Sequence, residues 1–307
     1  MVYYNPKDWF KPIFHFHRAD TFRKLLPLLV VIGLVTAGIG YLEVKFLQLS
    51  AENYVKNLPV MHSLLGFAIS MLLVFRTNSA YDRWWEGRKL WGALVNNARN
   101  LAVKLEVMLP AEDKQNRVFF SRLIALFPHQ LRVHLQQPGL STLLANVEDL
   151  LPHEQGIDPK RHIPVQITRL LMGRVQLLVK QGTLSGDQLI VLNAELQSLL
   201  DICGACERIK NTPIPYSYST FIKKFIAVYV LTLPFGFVFT LGYLAIPVVM
   251  FISYVLTSLE LIAEEIEDPF GTDSNDLPME KIAQNIERNV YEILGKPQLK
   301  GVAKEPL

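Results

Sequence analysis

Residues 225–259 read FIAVYVLTLPFGFVFTLGYLAIPVVMFISYVLTSL and contain no Asp, Glu, Lys or Arg. A membrane-spanning helix needs only about 20 apolar residues, so this stretch is long enough for two. Four residues in it are typical helix breakers, namely Pro234, Gly236, Gly242 and Pro247. We expect the turn at Gly242–Tyr243, because an aromatic residue such as Tyr243 suits the membrane interface. The stretch therefore predicts a helical hairpin that crosses a bilayer twice.

Two more apolar runs precede this hairpin, at 25–41 and 58–75, with a short polar excursion between them. We interpret the first run as a retained span rather than a secretion signal, because no small-residue cleavage site follows it cleanly. Half of the 307 residues are hydrophobic and 19% are charged, which indicates a chain that lies partly in a membrane. The sequence thus predicts four transmembrane helices.

The middle of the chain has a different composition. Residues 76–224 carry most of the charged side chains, and their apolar residues recur at spacings of three and four, which predicts helices. The predicted fold is all-α: a polytopic membrane protein with four transmembrane helices and a helical cytoplasmic domain. Its segments are an interfacial N-terminal stretch at 1–24, transmembrane helices one and two at 25–75, the helical domain at 76–224, transmembrane helices three and four at 225–262, and an acidic turn with the C-terminal tail at 263–307.

Basic residues at the span ends predict the orientation in the membrane, because cytoplasmic flanks are enriched in Lys and Arg. They stand at Arg23, Lys24, Arg76, Lys223 and Lys224. Both termini and the helical domain are therefore expected in the cytoplasm. The net charge of +3 is too small to indicate a nucleic-acid partner.

The second apolar run carries a regular stripe of large side chains. Phe67, Met71 and Phe75 recur every four residues and so share one helix face. If several copies of this helix surrounded an axis, the stripe would form apolar rings that hold back ions by dewetting. A stripe at this spacing is also typical of ordinary helix packing, and spacing alone favours that simpler interpretation.

An acidic turn, AEEIEDPFGTDSNDLP, occupies residues 263–278. Carboxylates and carbonyls at such a turn suit a hard cation such as Ca²⁺, which takes six to eight oxygen ligands. The acids do not alternate as an EF-hand loop requires. A solvated turn that caps helices and pairs with neighbouring arginines is the competing interpretation.

Recognisable motifs for catalysis or zinc binding are absent from the sequence. It has no Gly-rich phosphate loop, nucleophile elbow, paired catalytic acids or HExxH motif, so we predict no enzyme activity and no cofactor. Cys203 and Cys206 lack a second CxxC or a His pair, and we interpret them as structural thiols.

Two other functions stay open. A secondary transporter would show repeated halves and ionisable groups inside its spans, where this chain has only His62 besides tyrosines. A membrane-anchored enzyme or regulatory protein would work through residues 76–224.

Four blocks of this sequence, in this order, resemble the bacterial branch of the bestrophin family. They are the second span with its exit FRTNSAYDRWWEGRKLWG at 75–92, CERIKNTPIPYSYS at 206–219, the divided hairpin, and the acidic turn at 263–278. The resemblance implies a homopentameric ion channel in the bacterial inner membrane, surrounded by lipid, with one pore along the five-fold axis.

The resemblance also implies which residues line that pore. Three hydrophobic residues of the second transmembrane helix form a neck in this family, and the matching positions are Phe67, Met71 and Phe75. A second constriction in the cytoplasmic domain would lie near Gln188, with Leu184 as the alternative.

Two further expectations concern ions. Animal bestrophins hold Ca²⁺ in a clasp at the acidic turn, where the matching positions are Glu265, Asp268, Asp273 and Asp276. Thr272, Ser274 and Asn275 interrupt the acidic run here, which predicts weaker or absent Ca²⁺ gating. The bacterial resemblance favours small monovalent cations over anions as the conducted species.

Overall fold

The computed structural model describes residues 20–47, 57–136 and 157–296, and these residues contain helices and loops but no strand. The helices are α1 Asp20–Leu42, extended by a π-helical turn at Glu43–Leu47, α2 Leu58–Met108, α3 Lys114–Gln136, α4 Ile163–Lys180, α5 Gly186–Asn211, α6 Tyr216–Leu241, α7 Ala245–Glu267 and α8 Met279–Leu294. The predicted all-α class is confirmed for this part of the chain.

The chain divides into two compact units. The first comprises residues 1–84 and 213–268, and the second comprises residues 85–212 and 269–307. Helix α2 contributes its residues up to Trp84 to the first unit and the remainder to the second. All four spans predicted from the sequence belong to the first unit.

The predicted hairpin is present in the first unit. Helix α6 ends at Leu241, Gly242–Leu244 form one 3₁₀ turn, and α7 begins at Ala245. Gly242 has a φ of +56°, a backbone conformation that glycine adopts without steric cost. The turn expected at Gly242–Tyr243 is therefore confirmed.

The prediction that the other three residues would break the helices of the hairpin is wrong. Helix α6 runs through both Pro234 and Gly236, and Pro247 lies in the first turn of α7. Proline costs little in a first helical turn, where the backbone N–H has no intrahelical partner in any case. Inside a transmembrane helix, neighbouring helices and local adjustment compensate for the hydrogen bond that a residue such as Pro234 removes.

Close packing of α2 on α6 explains why Gly236 stands at its position. A Cβ atom there would lie 2.7 Å from Nδ1 of His62 on α2. The His62 ring is buried, with Nδ1 3.1 Å from the Leu58 carbonyl oxygen and Nε2 3.2 Å from the Thr232 hydroxyl. The one imidazole inside a predicted span thus has a packing role.

Within the described residues, four stretches are long and apolar enough to cross a membrane: Thr21–Phe46, Leu58–Met108, Gly186–Asn211 and Tyr216–Glu267, the last of which contains both arms of the hairpin. Three of them contain the four predicted spans. The fourth is α5, which belongs to the second unit. Several of its apolar residues, among them Leu192, Leu196 and Leu199, are buried there, so we attribute much of its hydropathy to the core of that unit.

The part of α2 after Trp84 and helices α3, α4, α5 and α8 belong to the second unit. Helix α8 buries one apolar face at three- and four-residue spacing, formed by Met279, Ala283, Ile286, Val290 and Leu294, and packs on α3. Helix α3 contributes the fully buried Phe120 and Phe127. The guanidinium of Arg174 lies over the ring of Phe119, which is buried, with its Cζ 4.5 Å from the ring centroid.

Candidate pore-lining site

The stripe Phe67, Met71 and Phe75 lies on an exposed face of α2, with 70%, 45% and 56% of each residue accessible. On the opposite side of the same helix, Ile69 and Leu73 are almost fully buried in the core of the first unit. Packing within the chain therefore does not account for the stripe. In a folded chain, a face of large apolar side chains left uncovered must meet lipid, another subunit or a pore.

The exposed face extends along α2 in both directions. At 100° per residue, Val60 and Leu64 share it on one side of the stripe, and Asn78 and Asp82 share it on the other. All four are exposed. The face thus changes from apolar to polar after Phe75, and its first charged residue is the carboxylate of Asp82.

Arg76 follows the stripe directly and points the other way, into the protein. Its side chain is 1% exposed, with Nη2 2.6 Å from Oε2 of Glu267 and Nε 3.6 Å from Oε1 of Glu260, both on α7. A buried guanidinium needs such partners, because the loss of water is compensated only by close opposite charges. This ion pair holds α2 at a defined rotation relative to α7.

Glu267 joins further parts of the first unit. Its Oε1 accepts a hydrogen bond from the backbone N–H of Ile214 at 2.8 Å, and its carbonyl oxygen accepts one from Nε of Arg83 at 3.0 Å. The segment before α6, the end of α7 and two arginines of α2 therefore meet at one residue. Sequence reasoning treated Arg76 only as a flanking charge and missed both of its acidic partners.

The acidic turn is divided between the two units. In the first unit, Glu265 is buried and pairs with Nζ of Lys24 at 2.9 Å, while Asp268 caps the end of α7. Because Lys24 forms a salt bridge with the Glu265 carboxylate, a Ca²⁺ ion bound to this carboxylate would have to displace the Lys24 ammonium group.

In the second unit, Asp276 is buried, and its Oδ2 accepts a hydrogen bond from the backbone N–H of Asp273 at 2.6 Å. The Leu277 N–H closes the loop onto the Pro269 carbonyl oxygen at 3.0 Å. Asp276 thus stabilises the turn itself. The Ca²⁺ clasp stays a prediction.

The two residues predicted for the lower constriction have local roles at the start of α5. Leu184 is 2% exposed and packs inside the second unit. Gln188 forms a capping box with Ser185: its N–H donates to the Ser185 hydroxyl at 3.1 Å, and its Oε1 accepts from the Ser185 N–H at 2.8 Å. The exposed apolar side chains nearby are Ile190, at 72%, and Val191, at 44%, neither of which sequence reasoning singled out.

Comparison with known proteins identifies the family. Residues 1–292 match the family model of bacterial and fungal bestrophin proteins. The chain belongs to the bestrophin family. The resemblance seen in the four sequence blocks is thereby confirmed.

Individual relatives cover most of this bestrophin. A voltage-dependent anion channel-forming protein of Ralstonia nicotianae is 31% identical over 297 residues, which is 95% of this chain and 94% of the relative. The voltage-dependent anion channel-forming protein YneE of Escherichia coli K12 is 36% identical over 235 residues, 75% of each chain. The crystal structure of a bacterial bestrophin homolog from Klebsiella pneumoniae has a TM-score of 0.76 at 30% identity, covering 89% of this chain and 100% of that chain.

These likenesses agree with the helical architecture. The bestrophin is a membrane protein whose described residues form helices, with apolar stretches long enough to span a bilayer.

Proposed function

We propose that this bestrophin forms a homopentameric channel through which small monovalent ions pass passively along a central axis. The observation that carries the proposal is the exposed apolar stripe of α2, opposite a face that is buried in the chain's own core. Family membership and the relatives, which are described as channel-forming proteins, support ion conduction.

Phe67, Met71 and Phe75 form the neck of the proposed pore. Five copies of each would surround the axis as three stacked apolar rings. Water leaves a narrow apolar passage readily, so such a neck blocks ions until it widens slightly. The thioether of Met71 makes the middle ring adaptable, because an unbranched side chain with three rotatable bonds changes shape easily.

The charge of the conducted ion must be selected outside the neck, since apolar rings carry no charge. Asp82 lies on the same face of α2, seven residues or about 10 Å beyond Phe75. A ring of carboxylates raises the local concentration of cations and lowers that of anions. Asp82 therefore supports the cation preference expected from the bacterial resemblance. The relatives, in contrast, are described as anion channel-forming proteins.

Replacing Asp82 by Asn is expected to reduce this preference, because it removes one negative charge per subunit from the proposed ring. The measurement is the reversal potential in a planar bilayer with a tenfold KCl gradient. For the wild-type channel it should lie between zero and the equilibrium potential of K⁺, and in the variant it should shift toward zero. The control is Glu112→Gln, which removes an exposed carboxylate from the loop between α2 and α3 and should leave the potential unchanged. A wild-type reversal potential between zero and the equilibrium potential of Cl⁻ would reject the cation assignment.

The assembly and the conduction are tested together on one preparation. Light scattering in detergent should give a mass near five copies of 35.0 kDa, and the same protein in liposomes should release trapped ions down their gradient. A monomer or dimer without leak would reject the channel. Saturable flux coupled to a proton or sodium gradient would instead favour a secondary transporter.

We propose that the bestrophin lies in the bacterial inner membrane, as the bacterial resemblance implies, with both termini and the second unit in the cytoplasm. The basic residues at the span ends, such as Arg23 and Lys224, support this orientation.

A further inference from the structure

Three side chains of the second unit converge although they are far apart in sequence. His134 lies near the end of α3, His162 is the N-cap of α4, and Glu207 lies near the end of α5. Nε2 of His134 is 2.6 Å and Nε2 of His162 is 2.5 Å from the same atom, Oε1 of Glu207. The two imidazole rings have their centroids 4.3 Å apart, tilted by 42°. Two nitrogen ligands and one oxygen ligand therefore point at one place.

We propose that His134, His162 and Glu207 form a site for a divalent transition-metal ion, Zn²⁺ by the chemistry of its ligands. Two imidazoles and one carboxylate are a common protein ligand set for zinc, and a water molecule completes the tetrahedron. The three side chains are 27%, 35% and 29% exposed, so an ion and its water can reach them from solvent.

The two nitrogens already lie closer to Oε1 than coordination of an ion requires. Ligand atoms at about 2.0–2.1 Å from a tetrahedral zinc ion lie about 3.3 Å from one another. The candidate ligand atoms all lie within 4.8 Å of one another, and the two N–O pairs are now held together by hydrogen bonds. The ion would replace these hydrogen bonds, and the two nitrogens would each move away from Oε1 by less than about 1 Å.

The tautomer of His162 changes on binding. Its Nδ1 now accepts the N–H of Val165 at 3.4 Å, a long hydrogen bond that caps α4. Coordination through Nε2 places the imidazole proton on Nδ1, so this weak cap is exchanged for a metal bond. The ion would then tie together α3, α4 and α5, which now meet at these three side chains through hydrogen bonds alone.

The site is distinct from other polar pairs in the second unit. His129 also pairs with a carboxylate, with Nε2 2.9 Å from Oε2 of Glu287, but no third ligand from the described part of the chain joins them. Cys203 and Cys206 are both buried on α5 and do not belong to the group. Among the described residues, no other group of three such ligands meets this spacing.

The test uses the full chain in detergent after removal of metals with EDTA. Calorimetric titration with ZnCl₂, followed by elemental analysis after gel filtration, should give one zinc per chain and a higher unfolding midpoint. His162→Asn keeps a good N-cap residue but removes the ligand, and Glu207→Gln keeps a hydrogen-bond acceptor without the charge. Each variant should weaken zinc binding at least about tenfold, because loss of a mere outer-shell partner of a metal already costs about 10–100-fold.

The matched control is His129→Asn, which removes an imidazole from a His–Glu pair that lacks a third ligand. It should bind zinc as the wild type does. Wild-type protein that retains no zinc would overturn the proposal. Equal zinc affinity in the wild type, His162→Asn and Glu207→Gln would overturn it as well, by assigning the bound metal to other surface groups. Both results are independent of ion conduction, because binding is measured without flux.

Discussion

Replacing Phe67, Met71 and Phe75 together by Ala is expected to raise the single-channel conductance several-fold. The three side chains are exposed on α2, so their removal leaves no cavity in the chain's own core. Smaller side chains widen the proposed neck and allow water to fill it, which removes the barrier to ions. Single-channel recording in a planar bilayer measures this directly.

The control for the neck is a triple Ala variant on α1 at Val31, Leu34 and Val35. These residues are 57%, 69% and 47% exposed, so they match the stripe in hydrophobicity and exposure but lie on another helix. Their replacement should leave the conductance unchanged. Light scattering should give both variants the wild-type mass. Unchanged single-channel currents in the α2 variant, with assembly intact, would reject the neck.

Local sequence patterns were sufficient to predict the helices of the first unit. The uncharged stretch 225–259 and the helix breaker Gly242 identify the hairpin, because length and turn residues are local properties. The exposure of the stripe on α2, in contrast, could not be predicted from local patterns. Spacing places Phe67, Met71 and Phe75 on one face but does not say whether that face is buried, and only the buried Ile69 and Leu73 opposite them decide the question.

Long-range pairs could not be predicted. Arg76 meets Glu260 and Glu267 only because α7 folds back against α2, and no spacing in the sequence encodes that contact. His134 and His162 likewise meet Glu207 only in the folded second unit. Sequence motifs for metals detect ligands on one helix or loop, such as HExxH, and so miss a site assembled from three helices.

Replacing Arg76 by Met is expected to cause a large loss of stability, about 3–5 kcal/mol. Methionine keeps an unbranched side chain in the space of the arginine stem, so the main change is the loss of charge. Glu260 and Glu267 would then remain largely buried, at 9% and 15% side-chain exposure, without the guanidinium that compensates them. The unfolding midpoint in detergent and the yield of assembled protein measure the effect.

Lys223→Met is the matched control, because Lys223 on α6 pairs with Glu264 on α7 at 2.8 Å, where both side chains are about half exposed. An exposed pair contributes about 0–1 kcal/mol, so this variant should unfold close to the wild-type midpoint. Adding Glu260→Gln and Glu267→Gln to Arg76→Met should recover part of the loss, since it removes the unpaired charges. Equal midpoints for Arg76→Met and Lys223→Met would show that the buried pair does not stabilise the fold.

If Arg76→Met assembles at reduced stability, its conductance should change too, because Arg76 follows Phe75 and fixes the rotation that turns the stripe away from the core.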